Sequence, residues 1–451
     1  MAIQTFAKRL RAQLASFRST EGGNVVLTFA LALIPIVGAV GAAIDYSRAN
    51  NYRTQLLAAA DAASVGSVAK TSAAMAAATT MTADGPISAG ATDAVKIFNA
   101  QLIGKTTWWN NLNVSATVAR SNGQVTSTVQ FTANVPVTFM GLFGKTSIPI
   151  SGTSKAANSM PLFADFYVLL DNTPSMGVGA TTSDINTMVA NTSDKCAFAC
   201  HDLSTFPNDY YSKAKSLGVT MRIDVLRTAT QQLMDTAKAT AVYTNQFRMA
   251  VYTFGAAAAT KGLTSVVPLT SNLTTAKTQA SAVDLMTVPY QNYADDTDTD
   301  FGDVLTDMSS AITTPGSGTN SGSPMKYLFF VSDGVADRVN GSPGCTKPVT
   351  NGSDPKTGTN YVRCQEPLDP SFCTTIKNRG IKIAVLYTTY LPLPTNPWYN
   401  SWIAPFQSEI ATNMQACASP GLYFEVSPSQ GISAAMNALF QKVVAEAHLT
   451  Q

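Results

Sequence analysis

Histidine is nearly missing from the 451 residues: His201 and His448 are the only two. Any Ser–His–Asp hydrolase or Cys/His zinc site would therefore have to draw on one of them. Charge is scarce too, since Asp, Glu, Lys and Arg make up 13% of the chain and almost cancel to +2. With no basic field to steer a polyanion, nucleic acid is excluded as a partner. The Gly-rich stretch at residues 315–324 has neither the lysine nor the following helix that a phosphate-binding loop requires. The acidic cluster Asp295, Asp296, Asp298, Asp300 and Asp303 lacks the glycine and glutamate spacing of an EF-hand. It reads as a solvated acidic loop, or else as a negative rim that concentrates cations. Polarity comes mainly from Ser, Thr, Asn and Gln, which suits a protein outside the cytosol.

Cysteine is limited to Cys196, Cys200, Cys345, Cys364, Cys373 and Cys417, an even set in the later part of the chain. Such a set predicts disulfides in an oxidising compartment, although spacing alone does not fix the pairing. Proximity suggests Cys196 with Cys200, Cys345 with Cys364, and Cys373 with Cys417. Cys196, Cys200 and His201 also raise the question of a metal or haem. Haem attachment needs two residues between the cysteines rather than three, and zinc would need a fourth ligand, for which His448 is the one remaining histidine.

Residues 25–44 carry no charge and include Leu27, Phe29, Leu31, Leu33, Ile34, Ile36, Val37 and Val40. That length crosses the hydrocarbon core of a bilayer, and a central charge that would oppose insertion is missing. Pro35 predicts a kink rather than a break. Lys8, Arg9, Arg11 and Arg18 precede the segment, whereas Arg48 and Arg53 are the nearby basic residues after it. The imbalance puts a basic segment, residues 1–23, in the cytoplasm and the bulk of the chain outside. Ile3, Phe6, Leu10, Leu14 and Phe17 fall at helical spacing, which suits a helix on the inner membrane face or a solvated one. A cleaved signal peptide is the competing reading. The apolar stretch is too long for one, and helical spacing continues through Ala42, Ile44, Tyr46, Ala49, Leu56, Leu57 and Ala60, so an uncleaved anchor over residues 24–70 is expected.

The segment GGNVVLTFALALIPIVGAVGAAIDYSRANNYRTQLLAAADAASVGS resembles the Tad segment of TadE/TadG-like proteins of the Flp (tight adherence) pilus system. In that family a membrane helix runs into an Ala-rich amphipathic helix. The resemblance implies a bacterial inner-membrane protein, single-pass, with its bulk in the periplasm or at the cell surface.

Residues 71–159 are expected to form a linker, at 71–90, and a small α+β domain. Its helix would carry Ala94, Val95, Ile97, Phe98 and Leu102, and its half-buried strands would lie at 112–118, 125–137 and 147–151. Trp108 and Trp109 suit packing or contact with lipid headgroups. Residues 160–451 alternate strands (165–170, 247–254, 265–269, 325–331, 381–387) with helices (221–240, 273–286, 300–313, 369–379, 431–447). This alternation predicts an α/β fold, a doubly wound and mostly parallel sheet with helices on both faces. Disulfide-bearing insertions interrupt it at residues 176–220, with Tyr210 and Tyr211, and at 336–369.

Asp171, Thr173 and Ser175 follow directly on the apolar run 166–170; Thr299 precedes a helical pattern; Asp333 closes the apolar run 327–331. In an open parallel sheet, loops at the carboxyl ends of strands share one crevice, so these segments can supply one all-oxygen ligand set. Magnesium suits such a set, because it takes one or two carboxylates with hydroxyls and waters rather than a full protein cage. Manganese and calcium are alternatives. The order of the segments resembles the von Willebrand factor type A domain with its metal-ion-dependent adhesion site. In that family the pattern is DxSxS, then Thr, then Asp. Asp171, Thr173 and Ser175 match the first element, with Thr173 in place of a Ser; Thr299 matches the second, with Thr297 as a rival; Asp333 matches the third. Read without the resemblance, these motifs are turns rich in Asp, Asn, Ser and Gly.

The two resemblances imply a non-enzymatic, membrane-anchored component of a Flp/Tad pilus assembly and adhesion system. Its partner, a pilus or secretion-system protein, would donate a carboxylate to the metal. The alternatives are a metal-independent scaffold tethered to the membrane, and a hydrolase using Ser175 with His201 or His448.

Overall fold

The computed structural model describes residues 22–105, 108–341, 344–349, 352–390, 392–394, 396–427 and 431–446. The expected basic segment up to residue 21 and His448 lie outside them. The chain divides into two units, Met1–Met160 and Pro161–Gln451.

In the first unit, helix α1 (Gly22–Ser67) runs unbroken for 46 residues through Pro35. It is long and apolar enough to cross a membrane, over the stretch where a spanning helix is expected. Large apolar side chains from Val25 to Ile44 are exposed, whereas Ala49, Leu56, Ala59, Ala60 and Ala63 are buried. The change follows from the sequence: the first half is apolar all round, and the second keeps one stripe of small residues against which a sheet can pack closely. That sheet is antiparallel, in the order β1 (Gly85–Pro86), β2 (Asn110–Ser121), β3 (Gln124–Pro136), β4 (Ser147–Ser159). The β2–β3 hairpin turns at Asn122 and Gly123, both at positive φ, as a tight two-residue turn demands. Val129, Phe131, Ala133 and Val135 of β3 pack in one core with the helices.

Residues 71–90 are not the loose linker that their composition suggests. Helix α2 (Ala73–Ala78) is capped by Ser72, whose side chain accepts the Met75 N–H, and it buries Ala74, Met75 and Ala78. Helix α3 (Ser88–Ala100) follows and buries Ala94 and Phe98. Alanine has the highest helix propensity of all residues but shows little periodicity, so a capped, buried alanine helix leaves a weak trace in sequence. Trp109 packs edge-on against Tyr52 with ring centroids 5.7 Å apart.

The second unit is built on a mixed six-stranded sheet. Its strands are β5 (Ala164–Leu170), β7 (Phe247–Thr253), β8 (Thr264–Thr270), β10 (Met325–Ser332), β14 (Lys382–Thr388) and β15 (Tyr423–Val426), ordered β15-β14-β10-β5-β7-β8. Five strands are parallel, and β8 is an antiparallel edge. Every residue of central β5 is buried, so its sequence is continuously apolar apart from Asp165. Asp165 is buried as well and pairs with Arg248 at 2.6 Å and with Lys326.

Phe166, Val168 and Leu170 face a core shared with α6 (Arg222–Thr240), α7 (Leu273–Gln279) and α11 (Ile432–Glu446). Tyr167 and Leu169 face the other, shared with α8 (Phe301–Ala311), α9 (Ser371–Asn378) and α10 (Gln407–Cys417). Helices thus cover both faces. The first insertion holds α4 (Thr182–Asn191), β6 (His201–Asp202) and α5 (Tyr210–Ser216), with β6 pairing to β9 (Thr287–Val288). The second is a three-stranded ribbon, β11 (Val335–Val339), β12 (Pro348–Val349) and β13 (Arg363–Pro367).

Two disulfides are present, Cys345–Cys364 within this ribbon and Cys373–Cys417 between α9 and α10. The expected third bridge is not: Cys196 and Cys200 are free thiols. The Phe198 N–H donates to Cys196 Sγ at 3.4 Å, and Phe198 itself is bridged to Val178. Burial pushes both thiols up from their usual pKa.

Candidate metal centre

Four of the five expected metal residues meet at the carboxyl ends of β5 and β10. The Asp171 N–H donates to the Val331 carbonyl at 2.9 Å, which extends the strand pairing by one residue and sets its carboxylate beside β10. Asp171 Oδ1 accepts from the Thr173 N–H at 3.0 Å and from Thr173 Oγ1 at 2.7 Å. Thr173 Oγ1 and Ser175 Oγ are 3.4 Å apart, and Ser175 lies on the Asp333 side, where it favours the charged form of that carboxyl. A hydroxyl chain, Thr173 then Ser175, thus runs from the Asp171 carboxylate towards that of Asp333, and both carboxylates are fully buried. Burial pushes the Asp171 carboxyl up, against hydrogen bonds from Ser332 and Thr173. Burial and then the charge of Asp171 push Asp333 up as well.

Thr299 stands apart from this chain, and its hydroxyl makes no hydrogen bond to the other four. It lies ahead of α8, with its backbone N–H and C=O paired to Asp337 at 2.8 and 2.9 Å. Thr299 and Ser175 line one cavity of about 350 Å³. The rival Thr297 spends its hydroxyl on the Ala294 carbonyl at 2.9 Å.

Three residues of the centre escaped the sequence reading. Ser332 donates to Asp171 Oδ2 at 2.6 Å and accepts the Gly334 N–H at 2.9 Å. Asn172 ties the loop to its neighbours: Nδ2 donates to the Gly255 and Asp284 carbonyls at 2.7 and 3.0 Å, and Oδ1 accepts the Phe254 N–H at 3.0 Å. Arg222, at the start of α6, has Nη1 3.4 Å from Asp333 Oδ2 and its guanidinium 5.4 Å from the Tyr390 ring centre. A polar side chain right after a buried strand was the available signal for Asn172 and Ser332. For Arg222 it was an arginine in register with the apolar face of its helix.

The acidic segment on the cavity wall is not a solvated loop. Asp298 is 3% exposed and neither of its carboxylate oxygens has a hydrogen-bond partner; Asp295 Oδ2 and Gln365 Oε1, on the same cavity, also lack one. Burial, with Asp296 adding to it, pushes the Asp298 carboxyl up to about 7. Arg363 forms a bidentate pair with Asp337 and lies 3.9 and 3.7 Å from Asp295 and Asp296, with Trp398 4.5 Å from its guanidinium. Asp300 caps α8, its Oδ1 accepting the Asp303 N–H at 3.2 Å.

The donor set fits a hard divalent cation. Asp171, Thr173, Ser175 and Asp333 offer oxygen alone, and hydroxyl protons that now point at carboxylates can rotate away and leave lone pairs for an ion. Arg222 contributes one positive charge against two carboxylates, through one long contact and with Nε unpartnered. Among the described residues, no three His, Cys, Asp or Glu side chains gather closely enough to hold a metal on their own, which leaves the zinc reading of Cys196, Cys200 and His201 without a site. His201 instead stacks on Tyr211, ring centroids 4.2 Å apart, while the Ser175 hydroxyl lies 3.4 Å from Thr173 Oγ1.

Residues 23–79 match the family model described as putative Flp pilus-assembly TadE/G-like, over the segment whose sequence resembles that family. No curated protein matches the chain. Among solved structures, it is similar to the pilus adhesin SpaC from Lactobacillus rhamnosus GG, at 13% identity and TM-score 0.38, over 75% of this chain and 35% of that one. The chain thus spans about a third of the length of SpaC. It is also similar to the vWF domain of the type V pili tip protein Mfa5 from Porphyromonas gingivalis, at 10% identity and TM-score 0.36, over 64% of this chain and 97% of that one. A third is the PilB minor pilin from Streptococcus sanguinis, at 12% identity and TM-score 0.35, over 76% and 80%.

Proposed function

We propose that this protein is a membrane-anchored, non-enzymatic component of a Flp/Tad-type pilus system. In this reading its second unit is a von Willebrand A-like domain that binds a protein partner through a divalent ion. The carrying observation is the gathering of Asp171, Thr173, Ser175 and Asp333 at the ends of two parallel strands, beside a cavity that Ser175 and Thr299 line. Two adjacent carboxylates without water repel each other and resist ionisation, and a divalent cation offsets both costs.

Magnesium is the expected ion, with manganese or calcium as substitutes. When bound, it supplies a Lewis-acidic position for a carboxylate from the partner, a pilus or secretion-system protein. Asp171 and Asp333 would provide charge, Thr173, Ser175 and Thr299 neutral oxygens, and Asn172 and Ser332 would hold the loops. Support for the pilus setting comes from the Tad match of residues 23–79. We place the protein in the bacterial inner membrane, N-terminus in the cytoplasm and bulk outside.

Arg222 favours one other reading, because its guanidinium is a built-in counter-ion with which the unit can serve as a scaffold without metal. Asp171→Asn in the full-length chain separates the two. On the metal-dependent reading the variant reaches the membrane at wild-type levels and no longer supports piliation; on the scaffold reading piliation persists.

A further inference from the structure

We propose that the turn at Met140–Phe143, together with Phe139, is buried in the outer leaflet alongside α1, giving the first unit a second membrane contact that does not span. The Phe143 ring is so close to α1 that a Cβ on Gly38 would sit 2.5 Å from its Cζ, and a Cβ on Gly41 would sit 2.5 Å from Phe139 Cβ. At about 1.5 Å of rise per residue, Gly38 is roughly 9 Å inside the end of the apolar segment at Ile44. Whatever touches Gly38 shares its depth. If residues 25–44 cross the bilayer, the turn is in hydrocarbon as well.

The chemistry of the turn suits that place. Between Thr138 and Lys145 there is no charge, and Leu142 and Phe143 are 79% and 60% exposed. Non-helical backbone within lipid must have its polar groups paired. Here the Asp45 carboxylate accepts the N–H groups of Thr138, Phe139 and Met140 at 3.0, 2.7 and 2.8 Å. The N–H groups of Leu142, Gly144 and Lys145 donate to carbonyls within the turn at 3.1 to 3.3 Å. One turn of helix beyond Ile44, Arg48 donates to Thr138 Oγ1 at 2.9 Å, and its guanidinium lies 5.4 Å from the centre of the exposed Trp108 ring. A basic residue and a tryptophan at that level mark the headgroup boundary. The glycines at 38 and 41 have a physical reason in this arrangement: they leave room for the tip of the Phe143 ring and the base of the Phe139 side chain against the span. Acyl chains are the occupant that fits, since the exposed apolar face continues that of the span itself.

The test uses the full-length chain reconstituted in phosphatidylcholine vesicles, with p-benzoylphenylalanine replacing Leu142, and irradiation followed by mass spectrometry. The same photoreactive residue replacing Thr126, exposed at the far end of β3, is the control. Lipid adducts at position 142 and none above background at 126 are expected. Position 143 repeats the measurement should the label at 142 disturb the fold. Labelling at 142 and 143 that yields water quenching or protein–protein adducts without lipid, or equal lipid labelling at 126, overturns the proposal.

Discussion

Arg222 Nη1 lies 3.4 Å from Asp333 Oδ2, and both side chains are buried. With Asp171 also buried, the cluster holds two carboxylates and one guanidinium. Arg222→Met therefore removes the one cation in contact with the cluster among the described residues and leaves uncompensated charge. Loss of one member of a buried ion pair costs about 3–5 kcal/mol. We expect the variant to melt well below wild type in chelator and to recover more of its stability on adding magnesium than wild type gains. Thermal melts of both proteins with magnesium or with EDTA read this directly.

Asp298 is buried with both oxygens unpartnered, so its ionised form weakens the fold. Its carboxyl is raised to about 7, which means that the folded state holds the proton more tightly than the unfolded chain does. Stability from this group accordingly falls as pH rises from the ordinary carboxylate range to about 7 and then levels. Asp298→Asn should raise the melting temperature at pH 8, by an amount that shrinks towards pH 5. A variant that melts lower at pH 8 contradicts the assignment.

The thiol inventory gives an independent check. Unfolding without reductant and alkylation with iodoacetamide should add two adducts, on Cys196 and Cys200, and the native protein should react far more slowly because burial raises both thiol pKa values. Intact mass decides between two adducts and none. Reduction should destabilise, with Cys373–Cys417 costing more than Cys345–Cys364, because their sequence separations are 44 and 19. Loop entropy puts the two at about 4 and about 3 kcal/mol.

Strands β5 and β10 were legible because central parallel strands are buried on both faces and are apolar almost throughout, and the oxygen-bearing side chains that follow them were legible for the same reason. Arg222 was not, since an arginine at a helix start usually faces water, and its partner Asp333 is brought to it by the sheet rather than by sequence spacing. Helix α10 and the ribbon β11–β13 also escaped, the ribbon being held by cross-strand pairing and a disulfide rather than by its own periodicity. The acidic stretch around Asp298 looked solvated in sequence, and the insertions bury it. Cys196 and Cys200 show the limit of pairing by proximity, since Phe198 between them is held in a bridge to Val178 and its N–H donates to the Cys196 sulfur.

The central claim is that Asp171 and Asp333, with the hydroxyls between and beside them, hold a divalent ion, and the most direct measurement is the melting temperature of the full-length protein with magnesium or EDTA, for wild type and Asp171→Asn. A ligand at a hundred times its dissociation constant stabilises by about 2.7 kcal/mol. The account predicts that magnesium raises the wild-type melting temperature and leaves that of the variant unchanged. A wild-type protein indifferent to both magnesium and chelator would contradict it.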